Sequence, residues 1–101
     1  MLKAGVEIFG LRPELLLAMM VANDVAKYYN VDFVVTSCTE KTTKHRSGSL
    51  HYAGFAFDMR NRDIHVGLHT SVKEKLQSSL GKEFDVIVEK DHIHVEFQPK
   101  G

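Results

Sequence analysis

A chain of 101 residues, 44% hydrophobic and 26% charged, has the length and make-up of one globular domain, residues 1–101, with a thin core. Thirteen Lys and Arg offset thirteen Asp and Glu, so no global basic field exists to attract nucleic acid, and no apolar run approaches the roughly 18 residues that span a bilayer. The single cysteine, Cys38, excludes an internal disulfide framework; no signal peptide is visible around Met1-Leu2-Lys3, so cytoplasmic synthesis is expected, as a monomer without nucleic-acid or membrane partners.

Taken in chain order, Pro13 suits a first helical turn, where the missing N–H costs nothing. Apolar residues then recur at Leu15, Leu16, Met19, Ala22, Ala26 and Tyr29, a helical spacing that Asn30 closes. Asp32 to Thr36 reads as a strand through Phe33, Val34 and Val35. Ser37 to Leu50 is a polar loop, long for so small a domain, and long ordered loops are often functional. A second strand is expected over Phe55 to Met59, with Phe55, Phe57 and Met59 alternating against Ala56, Asp58 and Arg60. After a polar connection over Asn61 to Thr70, Ser71 and Glu74 have the spacing of a capping box, opening a helix that buries Val72, Leu76 and Leu80 and ends at Gly81. Phe84 to Glu89 and His92 to Phe97 read as strands joined by a turn at Lys90-Asp91. The expected fold is α+β: a small, mostly antiparallel sheet with two or three helices.

The chemistry lies in the histidines, six in number. His92 and His94 alternate on the final strand and point to one face. If that strand lies beside the one carrying Asp58, and His51 approaches from just upstream, two imidazoles and a carboxylate converge. Zinc accepts this mixed N/O set, and a catalytic zinc site uses three protein ligands with a position left open.

Two local words sharpen this. Residues 49–58, Ser-Leu-His-Tyr-Ala-Gly-Phe-Ala-Phe-Asp, have the form S-x-H-x-x-G-x-A-x-D, and about thirty residues later comes Asp91-His92-Ile93-His94-Val95-Glu96. Together they resemble the two metal motifs of the M15 family of zinc peptidases, the D-alanyl-D-alanine carboxypeptidases and phage L-alanyl-D-glutamate endolysins. The resemblance spans roughly Val34 to Phe97 and is nearest to small phage-encoded members. It implies a hedgehog or D-Ala-D-Ala peptidase-like fold, Zn²⁺ held by His51, Asp58 and His94, and hydrolysis of bacterial peptidoglycan peptides. If the chain is phage-encoded, it would act on the cell wall after release.

The general base has two registers in this resemblance. D-x-x-H fits Asp91 with His94, the favoured choice; E-x-x-H fits Glu89 with His92. In the first, His92 neighbours the substrate and Glu89 faces solvent. Gly54 would let the chain turn near the metal, and Ala56 would leave space beside Asp58. One departure stands out: the family's substrate-steadying arginine has no counterpart in Thr36-Ser37-Cys38-Thr39-Glu40. His45 or Arg46 from the loop is the expected substitute, with Ser49 and His92 completing the substrate contacts. Two rivals remain. Cys38 offers a thiol nucleophile, although no cysteine-protease motif surrounds it. Alternatively, the fold keeps zinc without catalysis, as a binding module.

Overall fold

A computed structural model of the chain describes residues 1–40 and 54–99. It is an α+β domain of two α-helices and a four-stranded antiparallel sheet, as the alternating and helical periodicities require.

Helix α1 spans Pro13–Tyr28. Arg12 stays extended before it, and Asn30 ends it in the left-handed region at φ 58°, a conformation that asparagine tolerates. The buried stripe is Leu15, Ala18, Ala22, Val25 and Ala26. Leu16, expected on that stripe, lies outside it at 44% exposure, because the 3.6-residue period centres the contact on Leu15 and Ala18. Strand β1 covers Val35–Ser37 and β2 covers Ala56–Arg60. β1 starts later than the apolar run implies, since Val34 already packs in the core without joining the ladder.

The stretch expected as a plain polar connection contains a single 3₁₀ turn, Val66–Leu68, and helix α2 follows as His69–Leu80. Ser71 therefore sits inside the first turn instead of capping it, and the capping box is not formed. His65 takes over that work one turn earlier: its Nδ1 accepts the Gly67 N–H at 3.1 Å. Strands β3, Phe84–Val88, and β4, His92–Phe97, make the expected hairpin, closed by Glu89 N–H donating to His92 C=O at 2.8 Å.

The strand order is β1-β2-β4-β3. One sheet face carries Val35, Phe57, Met59, Val86, Ile93 and Val95, and both helices pack on it through Leu15, Ala22, Val25, Val72 and Leu76. Each fully buried aliphatic or aromatic side chain of this kind contributes about 1.5–3 kcal/mol by leaving water. The helices thus cover one face and leave the other for polar chemistry.

Both edges of the sheet are tied down. Beyond β1, Val35 donates to Met1 C=O and accepts from the Lys3 N–H, each at 2.8 Å. Beyond β3, the Gln77 amide of α2 donates to Phe84 C=O at 2.6 Å and accepts the Val86 N–H at 3.0 Å. Among the described residues, no helix is long and apolar enough to cross a membrane.

Candidate functional site

Pairing of β2 with β4 places Asp58 directly opposite His94 and Arg60 opposite His92. Directly opposed residues share a face, so these four side chains leave the sheet on the side away from the helices. Glu96 joins them by the two-residue period of β4.

The geometry is tight at His94. Its Nδ1 lies 2.8 Å from Asp58 Oδ1 and its Nε2 lies 2.9 Å from Glu96 Oε1. Each ring nitrogen faces a carboxylate, an arrangement that favours the charged ring with both N–H groups donating. Burial disfavours the charged ring, but hydrogen bonds and charge from Asp58 and Glu96 outweigh it, and the His94 pKa is raised. Gln98 donates its side-chain amide to the second oxygen of Glu96.

His92 belongs to a second pair. Its Nδ1 is 2.7 Å from Asp91 Oδ1, and its Nε2 is 3.8 Å from Asp58 Oδ1. Asp91 is 87% exposed, and its carboxyl pKa is lowered by the hydrogen bond to His92 and by that ring's charge. Glu89, expected to turn away from the site toward solvent, instead begins the hairpin turn opposite His92 and lines the same cavity as Asp58, Asp91, His92 and His94. That cavity has a volume of about 1120 Å³. His65 and His69 border it too, so all four described histidines meet there; His69 Nε2 donates to Ile64 C=O at 2.9 Å.

Of the residues singled out by the motifs, the structure brings together Asp58 and His94, with His92, Asp91 and Glu89 around the same cavity. His51, the expected third ligand, lies outside the described residues, as do His45, Arg46 and Ser49. Among the described residues, no group of three His, Cys, Asp or Glu side chains forms a metal-binding cluster. Asp58 and His94 nevertheless fit zinc: their nitrogen and oxygen donors converge, and Glu96 holds the far side of the imidazole as carboxylates commonly do for ligating histidines.

Gly54 does turn sharply, at φ 79°, but its tight contact is with the segment before α1. A Cβ there would lie 2.2 Å from Gly10 C=O. Cys38 is fully buried, and burial, followed by the Glu40 charge, pushes its thiol pKa up to about 12. Glu40 folds back to accept from Cys38 N–H at 2.8 Å and Ser37 Oγ at 2.7 Å, so residues 37–40 form a closed turn.

The sequence motifs give no role to Arg60 or Glu96. The two-residue alternation that selects Asp58 and His94 also selects them, one step further along each strand.

No family model matches the chain, no curated protein matches it, and no solved structure matches it.

Proposed function

We propose that this chain is a zinc-dependent metallopeptidase that hydrolyses peptides of bacterial peptidoglycan, with the metal held by Asp58, His94 and His51. The observation that carries this reading is the β2–β4 register, which sets Asp58 against His94 at 2.8 Å beside an open cavity. The motif pair supports it from the sequence side.

Zinc bound there would supply Lewis acidity to a scissile carbonyl and bring the pKa of water toward about 7. The protein's own residues do the rest. Glu96 accepts from Nε2 of His94, so Nδ1, which faces Asp58, would be the nitrogen that holds the metal together with that carboxylate. Asp91 accepts from Nδ1 of His92, so the Nε2 edge of His92 turns toward Asp58. Asp91 is the proposed proton acceptor from the attacking water, and it hands the proton to the leaving amine. Glu89, across the hairpin, is the competing acid.

Zinc analysis of protein purified without added metal, with hydrolysis of purified peptidoglycan fragments in the presence and absence of chelator, tests the class. About one zinc per chain and chelator-sensitive cleavage are expected. Zinc without cleavage of any fragment would leave the binding-module alternative. Asp91→Ala should keep zinc and lose roughly 10²- to 10⁴-fold in rate, the usual worth of a general base, while Glu89→Ala is mild. The reverse result moves the base to Glu89 and makes His92 the ligand on β4 in place of His94.

A further inference from the structure

We propose that Asn61 is the positioning residue for the Asp91–His92 pair, its buried side-chain amide standing in for the missing half of the β3–β4 hairpin closure. The inference rests on the peptidase reading for what that pair does to a substrate, while the latch itself stands on the geometry below.

In an antiparallel ladder, a hydrogen-bonded pair exchanges two backbone bonds. Glu89 and His92 hold that position at the end of the hairpin, one step beyond Val88 and Ile93. Glu89 N–H donates to His92 C=O at 2.8 Å, but among the described residues the return bond, His92 N–H to Glu89 C=O, is not made. The Glu89 C=O accepts instead from Nδ2 of Asn61, 28 residues away in the chain, at 3.2 Å. Asn61 is the one fully buried polar residue among those described, 3% exposed. An amide is costly to bury unless it is hydrogen-bonded, so its place beneath the turn depends on this bond.

The strut has a firm base. Asn61 directly follows Arg60, the last residue of β2 and the partner of His92 in the ladder. Its own C=O accepts the Ile64 N–H at 3.0 Å, and Ile64 is buried in the core. Arg60 Nε donates to Asp63 Oδ2 at 2.7 Å, which fixes the same short connection. The turn that Asn61 grips lacks such support from packing: Asp91 is 87% exposed. Asn61 stands in the cavity wall but is too buried to meet a substrate. It acts through the turn, which carries Asp91 and brings His92 Nε2 within 3.8 Å of Asp58. Without its amide, a single backbone bond would close the hairpin.

The test measures hydrogen exchange by NMR in the whole protein, as wild type, Asn61→Asp and Asn61→Leu. Zinc content and cleavage of purified peptidoglycan fragments are followed on the same samples. In the wild-type protein the Asn61 Nδ2 protons should exchange at least about tenfold more slowly than those of the exposed Asn30. Both variants keep the side chain's approximate size and lose the donor. In both, the Glu89 amide should exchange about 2- to 10-fold faster relative to the rest of the sheet, the worth of one hydrogen bond. Their kcat should fall about 10- to 100-fold with KM and zinc content unchanged, as expected for a displaced acid. Fast exchange of the wild-type Asn61 protons overturns the proposal, whether or not the variants fold. So does a speed-up spread evenly over the sheet, or a local speed-up with kcat intact. A wild-type protein that cleaves no fragment counts against the peptidase reading, and the exchange pattern then decides the latch by itself.

Discussion

Glu96 holds the Nε2 edge of His94, so ring orientation at the site is set by the protein alone. Removing such a carboxylate typically lowers metal affinity by about 10- to 100-fold. Glu96→Ala should therefore weaken zinc binding by that factor, and Glu96→Gln by less, because an amide oxygen still accepts the N–H. Competition with a chromophoric chelator measures both. Unchanged affinity in Glu96→Ala would mean that the ring is oriented by other contacts. The same pair of carboxylates makes the metal-free protein sensitive to pH. His94 has a raised pKa when folded, so its stabilising contribution is fully present below the unfolded value of about 6.5. It is lost as pH rises through the raised folded value. Zinc bound as proposed would run the other way over that window, since the ligand must shed its proton. Chemical denaturation of chelated protein and zinc titrations from about pH 6 to 8 should give opposite slopes. His94→Asn should flatten the first of them. Cys38 stands apart from this chemistry: fully buried, with its pKa near 12, it is a thiol and not a thiolate at neutral pH.

At the scale of elements, the segment before α1 and the residue before β2 are locked together. Gly54 C=O accepts the Arg12 N–H at 3.0 Å, and the Arg12 guanidinium lies 5.4 Å from the centre of the Phe55 ring. Gly54→Ala must place a methyl group 2.2 Å from a backbone oxygen, at a left-handed φ that itself costs about 1–2 kcal/mol. Urea unfolding should show destabilisation above about 2 kcal/mol, with zinc affinity reduced because Asp58 follows four residues later. This also marks how far periodicity could be read. Alternation in β2 and β4 fixes the face that Asp58 and His94 each take, while their adjacency is set by the β2–β4 pairing, which the sequence leaves conditional. The glycine's partner was hidden, since Gly10 is 44 positions away and nothing local signals the contact. The capping box failed for a related reason: Ser71 and Glu74 have the right spacing, but His65 and the 3₁₀ turn start the helical path sooner. Leu16 was misplaced because leucine in a helix satisfies either neighbouring stripe, and only tertiary contact selects between them.

For the whole molecule, the core is small and one face of its sheet is given over to polar side chains. A ligand that binds only the folded state adds RT ln(1 + [L]/Kd), about 4 kcal/mol at a thousandfold excess over Kd. In a domain of this size each kcal/mol moves Tm by roughly 4–8 °C. Saturating zinc should thus raise Tm by more than about 10 °C, a shift that scanning calorimetry would register and that Asp58→Ala should abolish. An unmoved Tm would argue against a metal bound to the native state.

The two closed sheet edges have a consequence of their own. An open strand presents unpaired N–H and C=O groups on which another chain can build, and that is how many β proteins come to self-associate. Here the outward groups of Val35 are used by residues 1 and 3, and the Phe84 C=O and Val86 N–H by a single glutamine side chain. Gln77 is thus a stopper against filament growth as much as a helix residue. The protection at β3 hangs on one amide, with the exposed Ile87 and Val88 beside it. That edge is where concentrated protein would begin to aggregate if the amide were lost.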